Sequence, residues 1–224
     1  MAVPGGGEFL AGQPATGSVA VVTDSTASLP AAEANRFAAA YRAAADAGAG
    51  AVLSVHLSRQ LSGTVSSAEL AAATSPIPVR VVDAQTIGMG LGLAVLAAAA
   101  AAGAGQGADA AAATTMLYAE QIGSFFALDA SDALLASGRK AVRARAAAAA
   151  GLVGLASDFA GSQPVDIGVR HTAAADRAAD LADRLAAAIP QVRRVYLAEA
   201  GLAIRAHTGP GMLGVAVAPH TGGR

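Results

Sequence analysis

Two hydroxyls and a glycine, Ser62-Gly63-Thr64, stand between an apolar alternating run, Ala51 to Leu57, and a helical pattern, Val65 to Ala73. A helix N-terminus offers unpaired N–H groups and a partial positive charge, so this position favours an anionic group. Ser62 and Thr64 can add hydroxyl donors, and Gly63 lets a ligand approach the backbone. The same residue types also serve as ordinary N-caps, and the stretch by itself leaves both readings open. A second group is His207-Thr208-Gly209-Pro210-Gly211. An imidazole before a Gly-Pro-Gly turn can donate to a carboxylate or act as an acid or base. It can equally be satisfied by a nearby carbonyl. A third is Asp24-Ser25-Thr26, at the end of the run Ser18 to Thr23. Ligands bind at such strand ends in open α/β sheets. Loop caps also sit there, and Asp24 beside hydroxyls can simply order the loop.

Those groups need elements to hold them. Residues 18–23, 51–57 and 79–83 read as buried strands, separated by helical patterns over 31–48 and 65–73 and followed by one to about residue 102. Phe37 and Tyr41 fall on one face of the first helix. The order β-α-β-α-β-α predicts an α/β fold with a parallel sheet and helices on both faces. The second half reads as a helix over 108–122, a short strand over 123–129, a helical turn over 130–135 and a basic turn over 136–140. An Ala-rich helix over 141–159, a strand over 165–171 and an amphipathic helix over 173–189 follow. Strands over 192–197 and 212–218 complete it, with 202–207 leading into the Gly-Pro-Gly turn. This half alternates strand and helix over its own sheet. A boundary near 105–115 therefore gives α/β domains over 18–110 and 111–224. Residues 1–17, with three consecutive glycines and two prolines, read as a disordered tail.

Composition narrows the function. The chain has 224 residues and a formal net charge of -1, which leaves no electrostatic footprint for nucleic acid. It has no cysteine, so disulfides and cysteine–metal sites are excluded and a reducing compartment fits. The first 17 residues carry no Lys or Arg and do not form a secretory signal. Residues 87–102 are uncharged but short and rich in Ala and Gly, which suits a buried helix better than a membrane span. Gly88-Met89-Gly90-Leu91-Gly92 does not complete a dinucleotide fingerprint, and no Walker A sequence is present. The four histidines are scattered without a second ligand at usable spacing, so no metal or cofactor is expected.

Several stretches together resemble one family. Val21-Val22-Thr23-Asp24-Ser25-Thr26 is similar to the opening motif of the DegV proteins, the bacterial fatty-acid-binding family. Leu57-Ser58-Arg59-Gln60-Leu61-Ser62-Gly63-Thr64 with Ala68 resembles its most recognisable motif. Val81-Val82-Asp83-Ala84 with the glycines at 88, 90 and 92 resembles its third-strand motif, and Gly138-Arg139-Lys140 a Gly-Gly-Arg turn. Ala206-His207-Thr208-Gly209-Pro210-Gly211-Met212-Leu213-Gly214 resembles its C-terminal signature. The matches occur in family order, in the Ala-rich style of an actinobacterial member.

The resemblance implies two α/β domains of the DegV type with a long-chain fatty acid in a cleft between them. Ser62, Gly63, Thr64 and His207 would hold the carboxylate. Asp24, Ser25, Thr26, Thr86, Gly88 and Gly209 would lie around that pocket. A separate ATP-dependent fatty acid kinase would phosphorylate the carboxylate, so the chain itself is expected to be a cytoplasmic lipid-binding protein of phospholipid metabolism and not an enzyme. Departures are visible. Ala84 and Gly88 stand where the family carries serines, which leaves Thr86 or backbone N–H groups to substitute. A strand after Ser28-Leu29-Pro30 and a segment after Lys140 are missing. Alternative readings are a degenerate relative that binds nothing, and a Ser/His acyl hydrolase using Ser62 and His207.

Overall fold

A computed structural model describes residues 9–10, 17–24, 33–127, 144–146 and 151–221. The chain divides into two compact units: Met1–Gln85 with Ala94–Leu117, and Thr86–Leu93 with Tyr118–Arg224. The division is discontinuous, where sequence alone suggests a single cut at 110/111.

The first unit holds a four-stranded sheet in the order β1 (Phe9–Leu10), β2 (Val19–Thr23), β3 (Ala51–His56), β4 (Val79–Asp83). Strands β2, β3 and β4 are parallel, with Val22 opposite Ser54 and Ser54 opposite Val81. Their connections are α1 (Glu33–Asp46) and α2 (Thr64–Ala72). Two successive right-handed crossovers in one direction put both helices on one face. Phe37, Tyr41 and Ala44 of α1 meet Ala68 and Ala71 of α2 over Ala20, Val22 and Val52. Leu53 and Val55 point the other way and are equally buried. Arg80, opposite in direction to Val81, bonds Asp109 at the start of α4 (Ala108–Ala119), which brings that helix to the second face. Between them runs α3 (Met89–Gly103), whose Ala94, Ala97, Ala98 and Ala101 are buried.

Before residue 17 the described residues are Phe9 and Leu10. Phe9 and Leu10 pair antiparallel with Thr23 and Val22 on the edge of β2. An open edge presents unpaired N–H and C=O groups, and a two-residue strand satisfies part of that row.

The second unit is a mixed sheet in the order β6-β5-β9-β7-β8. Its strands are β5 (Gly123–Ala127), β6 (Ala144–Ala146), β7 (Val165–His171), β8 (Val192–Glu199) and β9 (Leu213–Pro219). Strand β9 lies antiparallel to both β5 and β7. Helices α5 (Leu152–Ala160) and α6 (Ala175–Ala188) cover one face. Leu152, Ala156, Leu181 and Leu185 pack there on Phe125, Ile167, Val169 and Val215. The Ala-rich stretch at 141–159 is thus not one helix: Ala144–Ala146 pairs with Ser124–Phe126, where tertiary pairing overrides the helical preference of alanine. Residues 202–208 form a further helix, α7 (Leu202–Thr208). The turns expected over 130–140 lie outside the described residues.

The opposite face of this sheet has small residues at its centre, Ser124, Gly168, Gly214 and Ala216, and the segment Thr86–Leu93 crosses it. A Cβ at Gly168 would lie 2.7 Å from Met89 Cβ, and one at Gly90 would lie 2.8 Å from Ser124 Oγ. Both positions therefore need glycine for this approach. No helix among the described residues is long and apolar enough to cross a membrane.

Candidate functional site

The Ser62-Gly63-Thr64 turn opens α2 as the residue pattern suggests. The N-cap is Gly63, with φ -74° and ψ 4° and no side-chain cap bond. Ser62 Oγ lies 2.8 Å from Thr64 Oγ1 and accepts the Thr64 N–H at 3.3 Å. Thr64 is fully buried, Ser62 half-buried and Gly63 exposed, with no atom within 4 Å of the position a Cβ would take. The hydroxyls thus flank an open stretch of backbone at a helix N-terminus.

The turn is held from both sides. Leu61 and Ser62 N–H groups donate to Ser58 O at 2.9 and 3.2 Å, and the Gln60 N–H to Ser58 Oγ at 3.3 Å. Arg59 donates from Nε to Asp83 Oδ2 at 3.2 Å and from Nη2 to Glu69 Oε1 at 2.9 Å. These acids, Glu69 foremost, raise the Arg59 pKa above the usual guanidinium value. Strand β4, the loop and α2 are tied by one side chain.

Behind the turn runs a buried polar chain. Asp24 Oδ2 receives His56 Nδ1 at 2.8 Å and the Leu57 N–H at 3.2 Å. His56 Nε2 is 2.7 Å from Ser54 Oγ, which is 2.8 Å from Tyr41 Oη. One proton order satisfies all four: Tyr41 donates to Ser54, Ser54 to His56, and His56 to Asp24. Ser54, His56 and Tyr41 are 0% exposed. The order Asp–His–Ser is that of a nucleophilic triad. Here the serine oxygen is sealed by Tyr41, so no acyl carbon reaches it. The chain instead fixes Asp24 at the C-terminal end of β2. Sequence reading named Asp24 but not its partners. The available signal was two polar residues, Ser54 and His56, two apart on one face of an otherwise apolar strand.

In the second unit Thr86 is buried, with Oγ1 3.2 Å from Ser124 Oγ. Gly88, at φ +66°, precedes α3. Ile87 packs beside Phe126, Ala200, Ile204 and Met212. The Thr86–Gly88 turn and α7, which carries His207, therefore share one apolar cluster. The side chain of His207, like Ser25 and Thr26, lies outside the described residues. Gly209, at φ +69°, ends α7, and its carbonyl accepts Thr172 Oγ1 at 2.6 Å. Thr172 Oγ1 also accepts the Met212 N–H at 3.1 Å, so the Gly-Pro-Gly turn is pinned to the end of β7.

A family model described as "Uncharacterised protein, DegV family" matches residues 31–158 and 140–220. A DegV domain-containing protein of Streptomyces coelicolor is 40% identical over 209 residues, 81% of this chain and 74% of that protein. The crystal structure of a DegV family protein from Corynebacterium glutamicum superposes with a TM-score of 0.80 at 25% identity, covering 93% of this chain and 99% of that one. A DegV family protein from Thermus thermophilus, described by its fatty acid binding, gives a TM-score of 0.74 at 28% identity over 84% of this chain and 77% of that one.

Proposed function

Because this chain belongs to the DegV family, we propose that it is a cytoplasmic carrier that binds a long-chain fatty acid by its carboxylate and presents that group to a separate fatty acid kinase. The observation that carries the reading is the Ser62/Thr64 hydroxyl pair around the uncapped Gly63 at the start of α2. With Thr64 as donor within the pair, Ser62 Oγ accepts twice and its own hydrogen is directed outward. That hydrogen, the backbone at Gly63 and the helix end then act together on an anion. His207 on α7 and the Thr86–Gly88 turn complete the carboxylate site in this proposal. Binding without catalysis fits the sealed Ser54. It also fits the fatty acid binding described for the Thermus thermophilus relative.

The test is native mass spectrometry of the full chain, purified and then offered oleate. A compact protein with a fatty-acid mass is the expected result. Ser62→Ala, which removes that outward donor, is expected to weaken oleate binding by about 1.5–3 kcal/mol, the loss of a hydrogen bond to a charged group. A compact protein that stays empty overturns the carrier reading in favour of a relative that binds nothing.

A further inference from the structure

The chain places an arginine where its neighbours leave two of its three guanidinium nitrogens unmet. Arg170 lies in β7 on the same face as Gly168, the face crossed by Thr86–Leu93. Its Nε and Nη1 are buried, and neither has a hydrogen-bond partner among the described residues. The residues opposite it in the sheet are Ala198 and Gly214, which carry no acceptor side chain. The acid further along the same face, Asp166, is taken by His220 Nδ1 at 2.8 Å. Burial lowers the Arg170 pKa below the usual guanidinium value, and no carboxylate acts against it.

A buried guanidinium without an acceptor is costly, because its donors lose water and gain nothing. Most cations in that position are paired. What stands beside Arg170 is Gly88: a Cβ there would lie 3.7 Å from Nη1 and 3.8 Å from Cδ, in ordinary contact. The glycine thus leaves room for about one small group against the guanidinium. The adjoining start of α3 adds partial positive charge and so deepens the preference for an anion.

We propose that Arg170 is a carboxylate-binding residue of the second unit, with its Nη1 and Nε donating to the fatty-acid carboxylate over Gly88. This rests on the carrier reading above and extends it, since that reading relies on hydroxyls, a histidine and backbone alone. A guanidinium matches a carboxylate with two parallel N–H···O bonds, which an alcohol or ester head group cannot accept. Arg170 therefore makes the site select the ionised acid over uncharged lipids of the same chain length.

The experiment compares oleate with oleyl alcohol on the full chain, by native mass spectrometry and calorimetric titration. The wild type is expected to prefer oleate. Arg170→Gln is expected to lose about tenfold or more in oleate affinity, with oleyl alcohol unchanged and Arg170→Lys intermediate. Equal oleate affinity in Arg170→Gln overturns the inference and leaves the carrier reading standing. Equal losses for both lipids assign Arg170 a structural role and also overturn it. A wild type that takes neither lipid overturns both. Gly88→Asp decides the matter if Arg170→Gln does not fold. Aspartate tolerates the left-handed backbone better than most residues, and it would set an internal carboxylate against Arg170. Oleate affinity is then expected to fall while oleyl alcohol binding persists. Undiminished oleate binding in a folded Gly88→Asp protein refutes the proposal.

Discussion

The buried chain from Tyr41 to Asp24 makes a prediction about how its links depend on one another. Tyr41→Phe removes one hydroxyl whose good bond is to Ser54 Oγ at 2.8 Å; its contact with Ala68 O at 3.5 Å is long. Ser54 still donates to His56, so nothing is left as an unpaired donor. The cost is one net hydrogen bond, about 1 kcal/mol. Ser54→Ala acts differently. It leaves His56 Nε2 without its buried donor, at about 1–3 kcal/mol, and removes the same Tyr41–Ser54 bond, at about 1 kcal/mol, for a total of roughly 2–4 kcal/mol. In the double variant the Tyr41–Ser54 bond, already lost in Ser54→Ala, is not lost a second time. The double variant should therefore cost about as much as Ser54→Ala alone, a coupling of about 1 kcal/mol. Urea denaturation followed by far-ultraviolet circular dichroism measures all four corners of the cycle. Costs that simply add, to within about 0.5 kcal/mol, refute the linked proton order. So does a Tyr41→Phe variant as stable as the wild type.

Two further predictions concern the second unit. Burial, with smaller contributions from Asp166 and Tyr196, raises the Tyr118 pKa, and its hydroxyl donates to Pro219 O at 2.9 Å. The unfolded phenol ionises near pH 10 while the folded one stays protonated, so the unfolded chain binds fewer protons above that pH. Stability then falls with rising pH by up to about 1.4 kcal/mol per pH unit, and pH-dependent melting of Tyr118→Phe should show that limb flattened. Gly168→Ala should cost about 1–3 kcal/mol in a denaturant titration, and Met89→Ala should not restore it because the obstructing atom is Met89 Cβ itself. Gly123→Ala meets the Phe159 ring at 2.8 Å instead, so Phe159→Leu should relieve part of its cost.

Much of the first sheet was legible because its strands are continuous apolar runs with hydroxyl- or glycine-rich ends. Residues 19–23, 51–56 and 79–83 form strands close to where periodicity puts them, and Phe37 and Tyr41 share a face as their spacing requires. The Ala-rich stretches were harder. Alanine favours helix over strand, so Ala144–Ala146 reads locally as helix and only its pairing with β5 shows otherwise. Helix α7 was hidden because its residues, Leu202 to Thr208, are few and flanked by glycines. At the site, the Ser62-Gly63-Thr64 turn was readable from residue type. The bond from His56 to Asp24 joins residues 32 apart, and no local pattern reports it. Arg170 was visible as a charge inside a buried strand, but only its neighbours show that the charge is unmet.

The placement of β9 bears on how the chain comes together during synthesis. It is made after the other four strands of its sheet, yet it lies between β5 and β7 and forms hydrogen bonds with both. Until residue 219 has left the ribosome, β5 with β6 and β7 with β8 are two separate ribbons with bare inner edges. The segment Thr86–Leu93, made far earlier, has no finished surface to lie on until that closure occurs. Non-local pairing of this kind folds slowly and exposes strand edges to neighbouring chains while it waits. The chain should therefore be most vulnerable to aggregation as a nascent polypeptide from which β9 has not yet emerged, when the other four strands of that sheet are present and unjoined.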